Sequence, residues 1–546
     1  MKTPAKSEPQ KIISMESIDV FVSEVLDNVI AYHQRTKHQP HAMARGPSSL
    51  DWTNQPNPFR SYDGSIQIAL ERRGFGDVTD NFSKPSPLNM KSLSKLFFES
   101  LALSGQKSFS GSKWSLRVNP SSGNLHPTEG YLIAGPMDGL EGSPGVYHYT
   151  PKSHSLEFLA SITLESWQSF GLPEGSLLMA LTSIYWRESW KYGERAFRYC
   201  MIDLGHVLAA VAIAATCLGW RTALLEDAGT DDLARLLWQD AERFSQRDRS
   251  EDEHPDVLLA IYTDGRMHIQ ISQDLAQMQL QLQPFHPNIL SSEHVPWAGI
   301  DLVSEATKKP PTRGVYEESS TSGELESTKF CPILRKRRSA QRMDGQTFMP
   351  LECFHAILEA TLPGKLPFGL LPWRPYVHPV IFVHRVKGLD SGLYVLLRDV
   401  SQKEDLQAAM LDDFVWRKPS RTLEDLGFYQ LAQGDGRLAI KEASCRQDIA
   451  SDGCFAAALI AEFMEPLQRY GPWFYSRLHW ECGLIGQAFY LASENAGFQG
   501  CGIGCFFDDI VHRMLGLSGL SYQDLYHFTI GRALLDPRLV DLHAYD

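Results

Sequence analysis

Residues 120–127 read Pro-Ser-Ser-Gly-Asn-Leu-His-Pro and stand shortly before an apolar run, Tyr131-Leu-Ile-Ala, that predicts a buried strand. The segment offers hydroxyls, an amide side chain and a glycine that allows a ligand to approach the backbone. These groups suit a polar ligand that carries many hydrogen-bond acceptors. The same residues are those that ordinary turns use, so a polar turn without a ligand is an equal alternative.

A basic run, Arg337-Arg-Ser-Ala-Gln-Arg342, precedes an amphipathic segment around Leu351 in the second half of the chain. Arginine forks and a hydroxyl suit a phosphate dianion, which they bind through charge-assisted hydrogen bonds. Taken alone, the run is more typical of a solvated basic patch beside a linker.

The two halves of the chain repeat similar features in the same order, which indicates duplication. His126-Pro127 and His378-Pro379 each precede an apolar run that predicts a strand. Two long apolar segments have the same spacing between two glycines (205–219 and 483–497), and an aromatic residue follows each second glycine. Helices that alternate with few strands predict an α+β fold.

The length of the chain predicts more than one domain, because 546 residues exceed the ~250–300 at which a single core stops growing. We predict an N-terminal helix and extended arm over 1–66, a first globular domain over 67–305 and a second over 331–546. A polar stretch rich in Pro, Ser, Thr and Glu predicts a linker over 306–330.

The net charge, the apolar runs and the cysteine spacing argue against several classes of function. The net charge of −13 argues against a general nucleic-acid surface, and no apolar run reaches the ~20 residues that a membrane span needs. The nine scattered cysteines contain no metal-binding spacing, so we expect no metal site and reduced thiols. The N-terminus leads to no apolar signal core, and we therefore predict a cytoplasmic protein.

Three further segments are candidates for a site. Lys191-Tyr192 lies in a segment dense in ionisable and aromatic groups, where burial could adjust a pKa for acid–base work, although a capped helix entrance is the commoner meaning. The run 500–504 reads Gly-Cys-Gly-Ile-Gly; we expect it to end a helix and let a planar ring approach the backbone. Arg538, in an Asp-Pro-Arg-Leu segment, is a weaker candidate phosphate ligand.

Taken together, these segments resemble the nitroreductase superfamily and, more narrowly, the azoline-oxidising dehydrogenases of the SagB/ThcOx type. The resemblance implies an α+β fold that dimerises with FMN at the subunit interface. Here it implies two tandem nitroreductase-like domains, each with a mixed or antiparallel sheet flanked by helices, that form a pseudo-dimer within one chain.

The resemblance also implies a role for individual residues. Lys191 and Tyr192 match the pair that carries the proton chemistry while a hydride passes to flavin N5. Gln341 departs from the basic residue that the family's phosphate-binding pattern has at its last position. The residues implied to bind FMN are Pro120, Ser121, Ser122, Asn124, Arg337, Arg338, Ser339, Gln341, Gly502, Ile503, Gly504 and Arg538.

Each half lacks one of the two sequence runs that the implied FMN site needs, and the other half retains it. Where the first half should carry its own Arg-Arg-Ser run, residues 77–82 read Asp-Val-Thr-Asp-Asn-Phe, and where the second should carry Pro-Ser-Ser-Gly-Asn, residues 371–376 read Leu-Pro-Trp-Arg-Pro-Tyr. We therefore predict one FMN per chain, in an oxidoreductase that dehydrogenates an azoline-type or related substrate.

Several alternatives remain open at this point. The chain could be a nitro- or quinone-reductase that draws hydride from NAD(P)H, or a flavin-binding scaffold without catalysis, because a fold does not guarantee function. The substrate could be a small molecule or a peptide. The chain could be a monomer or a higher homo-oligomer, and we expect neither nucleic acid nor membrane as a partner.

Overall fold

The structure is a computed structural model that describes residues 15–74, 85–237, 249–263, 280–312, 326–421 and 426–545. The helices of the first half are α1 (Met15–Arg35), α2 (Met90–Ser100), α3 (Leu164–Ser169), α4 (Tyr185–Tyr192), α5 (Ala196–Cys217), α6 (Thr230–Leu236) and α7 (Ala298–Ala306). Its strands are β1 (Tyr62–Asp63), β2 (Ile66–Ala69), β3 (Leu103–Phe109), β4 (Ser112–Arg117), β5 (Thr128–Ala134), β6 (Gly145–Thr150), β7 (Ser155–Ile162), β8 (Ser176–Ser183), β9 (Arg221–Leu224), β10 (His254–Tyr262), β11 (Leu280–Leu282) and β12 (His286–Pro287).

The first α-helix of the second half is α8. Its helices are α8 (Leu351–Glu359), α9 (Lys403–Ala409), α10 (Arg437–Ala443), α11 (Asp448–Asp452), α12 (Met464–Tyr470), α13 (Phe474–Asn495) and α14 (Asp508–Leu515). Its strands are β13 (Val377–Val383), β14 (Gly392–Leu396), β15 (Phe428–Gln433), β16 (Phe455–Glu462), β17 (Gln499–Ile503), β18 (Tyr522–Gly531) and β19 (Val540–Leu542).

Each half builds a sheet of the same topology. The first sheet contains the order β6-β5-β8-β10-β9, and the second contains β14-β13-β16-β18-β17. Every neighbouring pair in these two orders is antiparallel. In both halves the long helix, α5 or α13, connects the third strand of the motif in chain order to the fourth. The predicted duplication therefore has a structural counterpart, and the α+β class is confirmed.

The two long helices pack against each other at the centre of the molecule. Gly205 of α5 and Gly483 of α13 face each other, and a Cβ built on either would lie within 2.8 Å of the Cα of the other. Any side chain at either position would force the helices apart, because backbone atoms cannot give way as a flexible side chain does. The glycine spacing in the sequence thus marks the crossing point of the two halves.

The chain termini cross from one half to the other. Near the end of α1, His33 contacts Tyr475 Oη at 3.2 Å and Gln523 Oε1 at 3.0 Å, both in the second half. At the other terminus, β19 pairs with β3 of the first half, and Tyr545 Oη accepts a hydrogen bond from Leu103 N. These exchanges add buried contacts between the halves.

Several sequence expectations differ from the structure. Residues 499–503 form strand β17 rather than the end of a helix, because their backbone groups pair with β18. Lys309, inside the predicted linker, is only 4% exposed. The departure at 77–82 lies outside the described residues, and the domain boundaries stay predictions.

The expectation of reduced thiols is wrong for one pair, since Cys217 and Cys331 form a disulfide. The spacing of the cysteines could not reveal it, because the two residues are 114 positions apart in sequence and meet only in the fold. One helical stretch among the described residues, Tyr185–Cys217, is long and apolar enough to cross a membrane, and 94% of its most apolar window is buried inside the protein.

Candidate active site between the two halves

The turn at 120–127 is held by its own polar groups and by helix α5. Ser122 donates from its backbone N to Asp203 Oδ2 at 3.0 Å and from its hydroxyl to Oδ1 at 3.1 Å. The side-chain amide of Asn124 donates to Ser115 O at 2.9 Å, and its Oδ1 lies 3.0 Å from His126 Nε2. The Asn124 side chain therefore fixes the turn, whereas the sequence predicted that it would be offered to a ligand.

The turn lies directly against the Lys191-Tyr192 pair at the end of α4. Gly123 has a φ of +61°, and a Cβ at this position would lie 2.7 Å from Tyr192 Oη and 3.1 Å from Lys191 Nζ. Only glycine fits here, because the site needs both a left-handed backbone and the absence of a side chain. The structure thus brings together two of the segments that the sequence singled out separately.

Two buried carboxyl groups, which the sequence analysis missed, lie behind this contact. Glu188 is one helical turn before Tyr192, and its Oε1 accepts a hydrogen bond from Ser121 Oγ at 3.4 Å. Burial raises the pKa of Asp203 to about 7, and burial together with the charge of Asp203 raises the pKa of Glu188 well above its usual range. Burial and mutual repulsion therefore both oppose the state in which the two acids are ionised together.

A signal for Glu188 was present in the sequence. Residues three and four apart lie on one face of a helix, and Glu188 has this spacing to Lys191 and Tyr192. Asp203 had no comparable signal, because its contact with Ser122 joins residues 81 positions apart.

The basic run of the second half reaches the first half immediately before the turn. Arg337 donates through Nε to Val118 O at 3.0 Å and through Nη2 to Arg117 O at 3.3 Å. Its Nη1 lies 3.3 Å from Ser339 Oγ. The basic run at 337–342 and the turn at 120–127 therefore meet, since Val118 is only two residues from Pro120.

Arg337 is a buried cation with neutral partners. It is 4% exposed, and burial lowers its pKa to about 10. In the described part of the chain, no carboxylate lies within ion-pairing distance of its guanidinium. A buried charge without a counter-ion is costly, so this position favours an anionic ligand.

Ser339 connects the basic run to strand β17. Its hydroxyl lies 2.8 Å from Tyr490 Oη, which also accepts a hydrogen bond from Gly502 N at 3.0 Å. The neighbouring Arg338 donates to Ser104 O at 3.0 Å and to the carbonyls of Arg335 and Arg337 at 2.9 Å. Arg338 thus helps to dock the run on the first half.

Residues 502–504, which end strand β17 and begin the loop after it and are called the loop at 502–504 here, contain two glycines that lie against tyrosine side chains. A Cβ at Gly502 would collide with the hydroxyl of Tyr526, and one at Gly504 would lie 2.6 Å from the Tyr199 ring. Tyr199 Oη donates to Gly504 O at 3.1 Å, and its ring packs edge-on to Tyr192 at 4.7 Å between centroids. The loop of the second half therefore reaches the Lys191-Tyr192 pair through Tyr199.

The remaining predicted site residues stand apart from these contacts. Gln341 is exposed, and Arg538 has a 71% exposed side chain that pairs with Asp536 at 2.7 Å. Pro120 and Ile503 are buried. Because the side chains of Gln341 and Arg538 are exposed to solvent, their positions add no support for a role in binding.

In the pseudo-equivalent region on the other side of the molecule, charged side chains of the chain pair with each other. The loop after β9, the counterpart of the loop at 502–504, contains Glu226, whose carboxylate lies 3.3 Å from Arg477 Nη2. The buried Lys309 donates to the backbone carbonyl of Glu226 and lies 5.3 Å from the ring of Trp473. The cavity between these side chains has a volume of only about 10 Å³.

A much larger cavity, of about 690 Å³, lies between α4, α6, β10 and α7. Its lining contains Arg60, which pairs with Glu253 at 3.2 Å, and none of the predicted site residues. The volume of a cavity therefore does not identify the candidate site. The turn at 120–127 and the basic run at 337–342 meet at a different place in the molecule.

The chain is similar to known proteins in both sequence and structure. Residues 334–532 match the profile of the nitroreductase family. A protein of Methanocaldococcus jannaschii named "Putative nitroreductase MJ1384" is 29% identical over 158 residues, which cover 28% of this chain and 75% of that protein. The trifolitoxin-processing protein TfxB of Rhizobium leguminosarum bv. trifolii is 35% identical over 111 residues, 18% of this chain and only 29% of TfxB.

A solved structure shares the fold over nearly the whole chain. The crystal structure of a "putative nitroreductase" from Anabaena variabilis has a TM-score of 0.68 and covers 93% of this chain and 99% of its own. At 22% sequence identity, this likeness concerns the fold alone. The fold is thus nitroreductase-like over most of the chain, and residues 334–532 are similar to the nitroreductase family.

Proposed function

We propose that this chain is an FMN-dependent oxidoreductase with one composite flavin site between its two halves. The observation that carries the proposal is the docking of Arg337 onto the carbonyls of Arg117 and Val118, next to the turn that begins at Pro120. Two segments that are more than 200 residues apart in sequence thereby form one surface.

The residues fit the phosphate end of FMN. Arg337 is buried without a carboxylate partner among the described residues, and the Ser339 hydroxyl lies beside it. A phosphate dianion would supply the missing counter-charge through charge-assisted hydrogen bonds. With Arg338 as a docking residue, these side chains would hold the phosphate.

The residues also fit a planar ring. Gly123, Gly502 and Gly504 let their backbone lie against Tyr192, Tyr526 and Tyr199, whose side chains occupy the space of a Cβ. Aromatic side chains of this kind pack on a planar ring. The turn residues Pro120, Ser121, Ser122 and Asn124 would bound the ring on one side, and Gly502, Ile503 and Gly504 would bound it on the other. Gln341 and Arg538 stay weaker predictions.

Bound FMN would supply a two-electron acceptor or donor, and the protein would manage the proton. Burial raises the pKa of Tyr192 well above its usual range, so its phenol stays protonated and is able to donate a hydrogen bond to a substrate. We infer that Lys191 Nζ, which lies beside the same turn glycine, Gly123, exchanges the substrate proton. Glu188 and Asp203, whose carboxyl pKa values are both raised by burial, would form the proton reservoir behind it.

The substrate class that we favour is an azoline-containing peptide. The similarity to TfxB, named as a trifolitoxin-processing protein, supports a peptide substrate. A nitro- or quinone-reductase that uses NAD(P)H is the second candidate, supported by the name of the Methanocaldococcus jannaschii relative. Both candidates use the same flavin site and differ in the donor of the hydride.

The first test is the flavin content of the purified full-length chain. We expect an absorption band near 450 nm and, after denaturation, about one FMN per chain. A ratio near two would contradict the single composite site. No flavin after incubation with excess FMN would overturn the proposal, and it would exclude a flavin-binding scaffold as well.

The second test separates the two substrate candidates. The flavin-loaded chain is mixed anaerobically with a peptide that contains a thiazoline or oxazoline ring, and bleaching of the flavin band is followed. Bleaching by the peptide, with formation of the aromatic azole, supports the dehydrogenase. Bleaching by NADPH alone, followed by reoxidation with a nitroarene or a quinone, supports the reductase.

A further inference from the structure

Two cysteines lie beside each other at the edge of the candidate site. Cys445 follows helix α10 and Cys505 follows the glycine loop at 502–504, and their Sγ atoms are 2.7 Å apart. Both thiols are partly exposed. A disulfide requires about 2.05 Å between the sulfurs, so a small approach would join them.

The fold holds the two thiols in this position from both sides. Cys445 and the following Arg446 have φ values of +51° and +61°, which residues other than glycine adopt only when their surroundings impose it. On the other side, Phe507 N donates to Ala443 O at 2.7 Å, and Gln447 Nε2 donates to Cys505 O at 3.0 Å. The proximity is therefore a property of two fixed loops.

The pair is linked through Gly504 and Tyr199 to Tyr192, which is assigned above to proton transfer. Gly504, next to Cys505, accepts a hydrogen bond from Tyr199 Oη at 3.1 Å. A negative charge on Cys505 raises the pKa of both Tyr199 and Tyr192, which shows that the thiol lies within electrostatic reach of them.

The electrostatics of the pair favour a single thiolate on Cys505. The hydrogen bond with Cys445 lowers the pKa of Cys505, and the positive charge of Arg195 acts in the same direction. The same hydrogen bond, together with burial, raises the pKa of Cys445. A thiolate beside a thiol is the arrangement from which a dithiol is oxidised.

We propose that Cys445 and Cys505 form a redox-active dithiol that a peroxide oxidises to an intrachain disulfide. The Cys505 thiolate attacks one oxygen of hydrogen peroxide, the O–O bond breaks, and a sulfenic acid and one water form after proton uptake. Cys445 then attacks the sulfenyl sulfur, loses its proton, and releases the second water. Two electrons pass from the two sulfurs to the peroxide, and the S–S bond ties the glycine loop to the segment after α10.

This pair differs from the Cys217–Cys331 disulfide. Cys217 and Cys331 are 3% and 1% exposed, so reagents in solution reach them poorly. Cys445 and Cys505 are accessible from solvent, which is the condition for reversible oxidation.

The test uses the full-length chain, first reduced and desalted. Hydrogen peroxide is added, free thiols are blocked with N-ethylmaleimide, and the digested protein is mapped by mass spectrometry without reductant. We expect the peptide that contains Cys445 to be joined to the one that contains Cys505, with the loss of two hydrogens and of two blockable thiols per chain. Dithiothreitol should restore both thiols.

Cys501 provides the matched control, because it lies four positions before Cys505 in the same segment and is also partly exposed. Cys501→Ser should retain the cross-link, whereas Cys445→Ser and Cys505→Ser should abolish it. In Cys445→Ser, dimedone should trap a sulfenic acid on Cys505. Circular dichroism checks that each variant is folded.

Complete blocking of both thiols after peroxide treatment would overturn the inference. A cross-link that survives in Cys505→Ser, or that disappears in Cys501→Ser, would assign the reactivity to Cys501 and would overturn it as well. The readout needs neither flavin nor turnover, so its outcome is independent of the proposed function.

Discussion

Helices α4 and α12 occupy equivalent places in the two repeats, and each ends in a tyrosine followed by a glycine. Tyr192 of α4 faces the backbone of Gly123, where the turn is open to solvent. Tyr470 of α12 instead stacks on Phe474 at 4.8 Å and lies near the hydroxyl of Tyr376. The same helical framework therefore supports an open polar surface in one repeat and a packed aromatic cluster in the other.

The carboxylates behind these tyrosines differ in the same way. Asp203 and Glu481 are each the eighth residue of the long helix, and each accepts a hydrogen bond from the backbone of the loop in front of it. Glu481 forms a buried ion pair with Arg398, whereas Asp203 lies beside a second carboxyl group, Glu188. An acid paired with an arginine serves the stability of the fold, whereas two neighbouring acids with raised pKa values are typical of a catalytic site. The two halves share a scaffold, and the neighbours of each acid set what it can do.

The largest expected effect concerns the basic residue that precedes the last tyrosine of each helix, Lys191 in α4 and Arg469 in α12. We expect Lys191→Ala to lower the rate of flavin reduction by substrate by about 10²–10⁴-fold, because a positioned acid or base contributes that much. FMN should remain bound, as the absorption spectrum would show. The matched control is Arg469→Ala at the equivalent position of α12, which should leave the rate unchanged; equal losses in both variants would remove the distinction between the repeats.

A smaller effect is expected from the buried arginine. Arg337→Ala should weaken FMN binding by about 10–100-fold, because a hydrogen bond to a charged group contributes ~1.5–3 kcal/mol. Arg337→Lys keeps the charge but loses the fork, so its affinity should be intermediate. Fluorescence titration with FMN measures both. Arg374→Ala, in the other repeat, should bind FMN as the wild type does, and a parallel loss there would contradict a single site.

The turn glycine should show a still smaller effect. Gly123→Ala places a methyl group against Tyr192 Oη and Lys191 Nζ in a left-handed conformation that costs about 1–2 kcal/mol for other residues. We expect FMN affinity to fall about tenfold. Gly369→Ala is the control, because a Cβ there meets nothing within 4 Å. Unchanged FMN affinity in Gly123→Ala would show that the turn does not border the flavin.

The smallest effect is a pH dependence of stability. The pKa of Asp203 is raised to about 7 in the folded state, so between pH ~4 and 7 the folded chain binds a proton that the unfolded chain releases. This contribution to stability is complete below pH ~4 and is lost as the pH rises through 7, with a slope of up to about 1.4 kcal/mol per pH unit. Asp203→Asn should flatten the urea-midpoint profile over this range.

Some pH dependence should remain in Asp203→Asn. Burial also raises the pKa of Asp256 to about 7, and its carboxylate accepts a hydrogen bond from Ser183 at 2.7 Å. The informative quantity is therefore the difference between the slopes of the wild type and the variant. Equal slopes would mean that Asp203 is already ionised in the folded protein at pH 5.

Much of the architecture followed from local sequence patterns. The equal glycine spacing identified the two long helices and their crossing point, and the apolar runs after the two His-Pro pairs identified β5 and β13. These features are readable because periodicity and glycine content act within a few residues. The run at 499–503 was assigned wrongly, because its strand character depends on pairing with β18, which no local pattern announces.

The sequence by itself determined the duplication, the α+β class and the residue types available for binding an anion and moving a proton. Only the tertiary structure decided which of them meet: Arg337 with the residues before the turn, Gly123 with Tyr192, and Asp203 with Ser122. It also decided that Lys309 and Arg477 both contact Glu226 in the equivalent region of the other repeat. The physical reason is that composition and periodicity report on a residue and its near neighbours, whereas burial, pairing and pKa depend on groups brought together across hundreds of residues.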